Sequence, residues 1–129
     1  MTCLVSVSIP NCQKIILEIN GKSSPNTTQR FIEQLPFSVI LNVWGEEIYT
    51  NELPIEMPEE NAKSVVNLND IAYWPPGKAI CLFFGHTPIS KKEKILPASP
   101  VNIIGRILNP NKFLVNVADG KKALFQRES

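Results

Sequence analysis

Prolines divide this chain into short apolar runs, and this division limits what it can fold into. Of its 129 residues, 11 are prolines, and they fall between the apolar runs. Because proline lacks a backbone N–H and interrupts helices, the segments between prolines stay short. Runs such as TCLVSVSIP and KIILEI alternate apolar and polar residues with the period of two that is typical of strands. We therefore expect an all-β protein with about eight to ten short strands.

One segment, SPNTTQRFIEQLPF, changes to a helical period. Phe31, Ile32 and Leu35 lie at helical spacing, and the proline that follows Leu35 ends the run. Ser24 or Asn26 can cap the start of the helix. The segment predicts one short helix between the second and third strands.

The remaining runs predict the other strands. FSVILNVWGEEIYT is typical of a hairpin that turns at Gly45, and VVNLNDIAYW leads through the turn PPGK into AICLFFG. VNIIGRIL, KFLVNV and KKALFQ then predict three more short strands. AICLFFG is apolar at alternate positions on both sides, so it needs cover on each face, as in the wall of a barrel. A closed barrel also removes exposed edges, which favours it over a sandwich, although strand spacing alone fits both.

Length and charge narrow the class of protein. A chain of 129 residues predicts a single domain over 1–129. Thirteen Lys and Arg against 12 Asp and Glu give a net charge of +1, which favours neither a nucleic-acid partner nor a membrane partner. No apolar run approaches the roughly 20 residues of a membrane helix, and the N-terminus does not resemble a signal peptide. We therefore expect a cytoplasmic protein.

The cysteines predict neither a metal site nor a disulfide framework. Cys3, Cys12 and Cys81 form no CxxC pair, and the chain has one histidine. Cys81 lies inside an apolar run, which predicts a small buried hydrophobe. The glycines match no phosphate-binding fingerprint, so we expect no cofactor.

Four motifs occur in an order that resembles the cyclophilin fold. IILEINGKSSPNTTQRF is similar to the opening strand and helix of cyclophilins, LFFG to their double-Phe strand and VNIIGRIL to a later strand with Gly before a basic residue. The most specific stretch, NDIAYWPPGKAICLFFGHTP, resembles the small archaeal and bacterial cyclophilin-like proteins more than true cyclophilins. The resemblance covers about residues 15–125 and implies a closed eight-stranded barrel with one or two short capping helices.

The resemblance also implies where a site would lie and what it lacks. Phe84 matches the phenylalanine that floors the proline pocket of cyclophilins, Phe83 would face the barrel interior, and Leu82 stands where cyclophilins have a peptide-binding Gln. The catalytic arginine of true cyclophilins falls near Val39, and no arginine occurs between Phe31 and Gly105. Losing one charge-assisted hydrogen bond of about 1.5–3 kcal/mol costs roughly tenfold to more than a hundredfold in rate. We therefore expect weak or absent prolyl isomerase activity.

The sequence predicts a binding cleft whose ligand is a small molecule or an extended, proline-containing peptide. No catalytic residue is identified. A peptidyl-prolyl isomerase with a non-standard site is the alternative, and a hydrolase or another enzyme subunit is a third reading by fold analogy alone. The predicted ligand-binding residues are Trp74, Pro75, Leu82, Phe84 and His86.

Other aromatic and acidic residues fit a functional role or a plain structural one. Trp44 and Tyr73 could line a cleft, since large aromatics with a polar tip favour recognition surfaces, or could pack in the core. Glu46 and Glu47 are adjacent, and neighbouring strand residues point to opposite faces, so their carboxylates are not expected to converge on one bond.

Overall fold

The alternating runs form eight strands that close into an antiparallel barrel. The computed structural model describes residues 2–129. Around the barrel the strand order is β1-β2-β7-β5-β6-β4-β3-β8, and every neighbouring pair is antiparallel. The predicted fold class is confirmed. The strands are β1 Thr2–Ser8, β2 Ile15–Asn20, β3 Phe37–Trp44, β4 Glu47–Thr50, β5 Asp70–Trp74, β6 Ala79–Phe83, β7 Asn102–Ile107 and β8 Lys122–Arg127.

The helix α1, Pro25–Gln34, lies where its period predicted it. Phe31 is fully buried on its inner side. The Phe31 ring meets the rings of Phe37 and Phe125 edge-on, with centroids 6.1 and 6.4 Å apart. The helix is thereby held against the barrel core by an aromatic cluster.

A residue far along the chain caps the start of α1. Ser24 occupies the N-cap position, but its side chain makes no cap hydrogen bond. Instead the Glu60 carboxylate accepts hydrogen bonds from the backbone N–H groups of Asn26 at 3.1 Å and Thr27 at 2.8 Å. These bonds satisfy free helix N–H groups and tie the segment 51–69 to the start of α1.

Two predicted strands differ in the structure. KFLVNV forms a 3-10 helix, Lys112–Asn116, because the Asn111 side chain accepts a hydrogen bond from the Phe113 N–H at 3.2 Å and starts a turn. The strand expected over VVNLNDIAYW begins only at Asp70, because Asn69 has a φ of +70° that breaks the extended run. A second 3-10 helix, Pro75–Gly77, forms the turn between β5 and β6.

The barrel wall formed by β4, β5 and β6 is covered on both faces. Ile80 and Leu82 of β6 point into the barrel core, whereas Cys81 and Phe83 join a second apolar cluster on the outside. That outer cluster is closed over by the segments 51–69 and 84–101, which contribute Val66, Ile95 and Val101. Every residue of β6 is buried, as its doubly apolar pattern predicted. Within residues 2–129, no helix is long and apolar enough to cross a membrane.

Candidate functional site

Strand register brings aromatic and acidic side chains together on the outer face of β3, β4 and β6. Trp44 is opposite Glu47 across the hairpin, and Glu47 is opposite Phe83 on the next strand. Directly opposite residues share a face, as do residues two apart in a strand, so Tyr49 lies on this face as well. Tyr49 is in turn opposite Cys81.

A cavity of about 170 Å³ lies over this face. An engineered cavity of about 150 Å³ in another protein holds one benzene molecule, so the space suits about one ring-sized group. Its walls are mainly apolar, and it is covered by the segment 97–101. We call this cavity the aromatic pocket, and its lining residues are Trp44, Glu47, Tyr49, Trp74, Cys81, Pro97, Ala98 and Val101.

The polar floor of the aromatic pocket is the carboxyl of Glu47. The side chain is 5% exposed. Burial raises the pKa of Glu47 to about 7, and a hydrogen bond from the Cys81 thiol opposes this rise. Burial also raises the pKa of Cys81 well above its usual value, as does the nearby Glu47 charge, so that thiol stays protonated. The pocket therefore holds a carboxyl that titrates near neutral pH.

Glu47 has no cationic partner among residues 2–129. No ion pair there includes its carboxylate, and no Lys, Arg or His lines the pocket. A buried carboxylate is costly unless it is paired, so an unpaired one beside a cavity is unusual.

Two contacts fix the position of Trp74 in the wall. Its indole Nε1 donates a hydrogen bond of 2.6 Å to the Ser99 hydroxyl. A Cβ at Gly77 would lie 2.5 Å from the Trp74 ring, so glycine at this turn allows the indole to pack against the backbone. Val101 pairs with Lys63 through an isolated bridge, which anchors the cover of the pocket.

The structure does not bring the five predicted binding residues into one cleft. Leu82 and Phe84 are 1% and 3% exposed and belong to the barrel core. The expected orientations of the two phenylalanines are reversed, since Phe83 faces the outer cluster and Phe84 the core. The reason is the period of the strand: Leu82 points inward, so its neighbour Phe83 points outward. The prediction that Phe84 floors a cleft is therefore wrong.

The other three predicted residues line three different cavities. Trp74 lines the aromatic pocket, whereas Pro75 lines a cavity of about 300 Å³ with Tyr73 and Lys78. His86 borders a third, of about 330 Å³. They separate because Trp74 points to the outer face, the 3-10 turn carries Pro75 past the end of β5, and His86 lies beyond the opposite end of β6.

Glu46 and Glu47 diverge, as the sequence predicted. Glu46 Oε2 lies 2.8 Å from Lys112 Nζ, and Glu46 Oε1 accepts a hydrogen bond from the His86 backbone N–H at 3.0 Å. The hydrogen bond from Lys112 lowers the pKa of Glu46. Glu47 faces the aromatic pocket instead, so the two carboxylates lie in separate environments.

No arginine stands at the place expected for a prolyl isomerase. Val39, which matches the arginine position of cyclophilins most nearly, is buried in the barrel core. Arg30 is exposed on the helix, and Arg106 of β7 donates to Glu18 of β2 at 3.1 Å. Arg127 donates to the Ser129 carbonyl. None of the three lines the aromatic pocket.

Sequence reasoning missed Glu47, Tyr49 and Cys81 as parts of one pocket. Tyr49 follows Glu47 by two positions, so a strand there puts a carboxyl beside an aromatic ring on one face. The contribution of Cys81 depends on the pairing of β4 with β6, which are not consecutive strands. Residues 2–129 contain no group of three His, Cys, Asp or Glu side chains placed to hold a metal ion.

The barrel and its outer pocket define a class of protein: a closed eight-stranded antiparallel barrel with one capping helix and covered outer strands. The family model for cyclophilin-like proteins matches residues 4–126. The chain therefore belongs to the cyclophilin-like family.

A solved structure of a relative agrees with this assignment. The solution structure of the hypothetical protein AF2241 from Archaeoglobus fulgidus is 43% identical to this chain, with a TM-score of 0.82. The match covers 98% of this chain and 95% of the archaeal one. A search of curated proteins finds no match.

Proposed function

We propose that the protein binds a small molecule, or one side chain of an extended peptide, in the aromatic pocket. The observation that carries the proposal is the buried Glu47 carboxyl facing a cavity walled by Trp44, Tyr49 and Trp74. A ligand-binding pocket is typically apolar with a few polar groups that orient the ligand, and this one has that composition. The site differs from the cleft expected around Phe84, because it lies on the outer face of the barrel.

The proposal includes weak or absent prolyl isomerase activity. A rate-enhancing guanidinium must reach the prolyl nitrogen, and the aromatic pocket contains no arginine. A protease-coupled assay on an Ala-Pro peptide should show an acceleration at least about tenfold smaller than that of a true cyclophilin at the same concentration, or none. Acceleration equal to that of a true cyclophilin at the same concentration would support the alternative, an isomerase with a non-standard site.

Both tryptophans of the chain line the aromatic pocket, which gives a direct test of binding. We expect charged or neutral fragments of ring size to shift the indole N–H resonances of Trp44 and Trp74 in a heteronuclear NMR titration. If no member of a panel of cationic, neutral and anionic fragments shifts either resonance, the proposal fails.

A variant that fills the pocket controls for unspecific binding. Ala98 is an exposed pocket residue, so Ala98→Leu places three extra carbons in the opening without changing the core. Ser64→Leu is the matched control, because Ser64 is exposed on the other covering segment and does not line the pocket. We expect Ala98→Leu to abolish the shifts and Ser64→Leu to leave them unchanged.

The predictions about partners and location stay predictions. The near-zero net charge argues against nucleic acid and membrane surfaces as partners. A cytoplasmic location is likewise expected from the sequence alone.

A further inference from the structure

The aromatic pocket combines an unpaired carboxyl with electron-rich rings, and both favour positive charge. Glu47 has no ion-pair partner among residues 2–129, and the pocket lining includes no basic side chain. A cation inside the pocket would supply the charge that the buried carboxylate lacks. An anionic ligand would face repulsion from Glu47 without any compensating group.

The walls supply the second attraction. Tryptophan is the best aromatic partner for a cation and tyrosine is the next, and the walls contain two of the first and one of the second. The Trp74 indole N–H is already bonded to Ser99, so what that residue has left to offer a ligand is its ring. Aromatic cages of this composition recognise alkylated ammonium groups in other proteins.

A bare metal ion does not fit the same site. A divalent metal needs several oxygen, nitrogen or sulfur ligands, and the described residues contain no suitable group of three. The cavity of about 170 Å³ is also far larger than a metal ion and suits a branched or ring-sized organic group.

We propose that the aromatic pocket binds the alkylated ammonium group of an organic cation, held between Glu47 and the rings of Trp44, Tyr49 and Trp74. This inference rests on the proposed function, because it names the chemical class of ligand for the same pocket. Glu47 selects for charge, and the rings select for an alkylated, weakly hydrated surface.

Two probes of nearly equal shape separate charge from size. Choline carries a trimethylammonium group, and 3,3-dimethylbutan-1-ol has a carbon in place of the nitrogen. Their dissociation constants are measured at pH 8 from the indole N–H resonances of Trp44 and Trp74. We expect choline to bind at least about tenfold more tightly than the alcohol.

Glu47→Gln keeps the size of the side chain and removes its charge. We expect choline to bind this variant only as tightly as the alcohol binds, while the affinity for the alcohol does not fall. A fold check by the same spectra accompanies each titration. If Glu47→Gln retains the preference for choline, the carboxylate is not the cation-binding group and the inference is overturned.

The pH profile gives a second readout on the unmodified chain. Choline keeps its charge at all pH values, so any change in affinity comes from the protein. Because the pKa of Glu47 is about 7, choline affinity should rise between pH 5.5 and 8.5 by about tenfold, whereas alcohol affinity stays level. Cys81, the titratable thiol that contacts Glu47, has a raised pKa and stays neutral over this range. Tyr49 is the other titratable side chain in the pocket lining.

His86 is the chain's one histidine, so His86→Gln is the control. His86 borders a different cavity, and we expect its replacement to leave the pH profile unchanged. Equal affinity for choline and the alcohol at pH 8 would overturn the cation inference and leave the pocket proposal standing. If neither probe shifts the indole resonances while another fragment of the panel does, the cation inference fails and the pocket proposal stands.

Discussion

The inner and outer faces of strands β4, β5 and β6 are both buried, yet they differ in chemistry. Inward residues such as Ile48, Ile71 and Leu82 are aliphatic and contact other strands of the closed barrel. Outward residues include Glu47, which is polar and covered by loop segments. The core holds the Tyr73 hydroxyl in a hydrogen bond to the Ile55 carbonyl, whereas the face covered by loops holds a carboxyl beside a cavity.

This difference separates the face that stabilises the cyclophilin-like barrel from the face on which we propose that a ligand binds. The interior is filled by side chains from all eight strands, as expected for a barrel of this size. The outer face is covered by segments 51–69 and 84–101, which are joined to each other by isolated bridges instead of long strands. Substitutions inside the barrel should therefore change stability alone, whereas substitutions on the outer face should also change binding.

The largest effect is expected for Phe84→Ala. Phe84 is 3% exposed within the core, and removing a buried phenylalanine costs about 3–5 kcal/mol in the free energy of unfolding. Urea unfolding followed by circular dichroism measures the loss. Phe113→Ala is the control, because Phe113 is 63% exposed and its loss should change stability by less than about 0.5 kcal/mol.

Fragment binding by the Phe84→Ala variant tests whether Phe84 lies in the ligand site. Under conditions where the Phe84→Ala variant is folded, the shifts of the two indole resonances by pocket fragments should persist. A variant of normal stability that no longer binds would instead place Phe84 in the ligand site and break the distinction between the two faces.

The second-largest effect is expected for Glu47→Gln, which should gain stability over the unaltered chain in a pH-dependent way. The pKa of Glu47 is about 7 in the folded chain and near 4.5 when unfolded, so the folded state retains a proton that the unfolded state releases between these values. The contribution of Glu47 to the stability of the unaltered chain is thus most favourable below pH 4.5 and falls as the pH rises to 7. The loss amounts to about 3 kcal/mol at most.

The variant lacks this loss, because glutamine does not ionise. Glu47→Gln should therefore be more stable than the unaltered chain at pH 8 by up to about 3 kcal/mol, and about equal at pH 4.5. Thermal unfolding at several pH values measures the difference. An identical pH profile for both proteins would mean that Glu47 is ionised and well solvated in the folded state.

Much of the barrel follows from the sequence because its determinants are local. The alternation of apolar and polar residues in TCLVSVSIP and KIILEI correctly predicted the first two strands. The helical spacing of Phe31, Ile32 and Leu35 correctly predicted the helix. The strand predicted for KFLVNV is wrong, because the side chain of one residue, Asn111, starts a turn ahead of residues that are typical of strands. A hydrogen bond between one polar side chain and the backbone can outweigh the strand propensity of the neighbouring residues, and the apolar pattern does not reveal it.

The site was less predictable, since it depends on pairings between distant segments. Trp74 was identified because it adjoins a turn, and it does line the aromatic pocket. Whether Phe83 or Phe84 faces the barrel core depends on which alternate residues of the strand point inward, and a shift of one residue exchanges the two faces. The burial of Glu47 requires β4 to pair with β6 and the segment 97–101 to fold over both.

The smallest effect tests how the cover of the outer face is held. Ser99→Ala removes the acceptor of the 2.6 Å hydrogen bond from Trp74 Nε1. One such bond contributes about 0.5–1.5 kcal/mol, so stability should fall by about that amount, and affinity for pocket fragments should weaken several-fold as the indole gains freedom. Ser64→Ala, at an exposed serine on the other covering segment, should change neither quantity. Unchanged affinity for pocket fragments in Ser99→Ala would show that packing against Gly77, and not this hydrogen bond, orients the ring, and the outer face would then resemble the core in relying on packing.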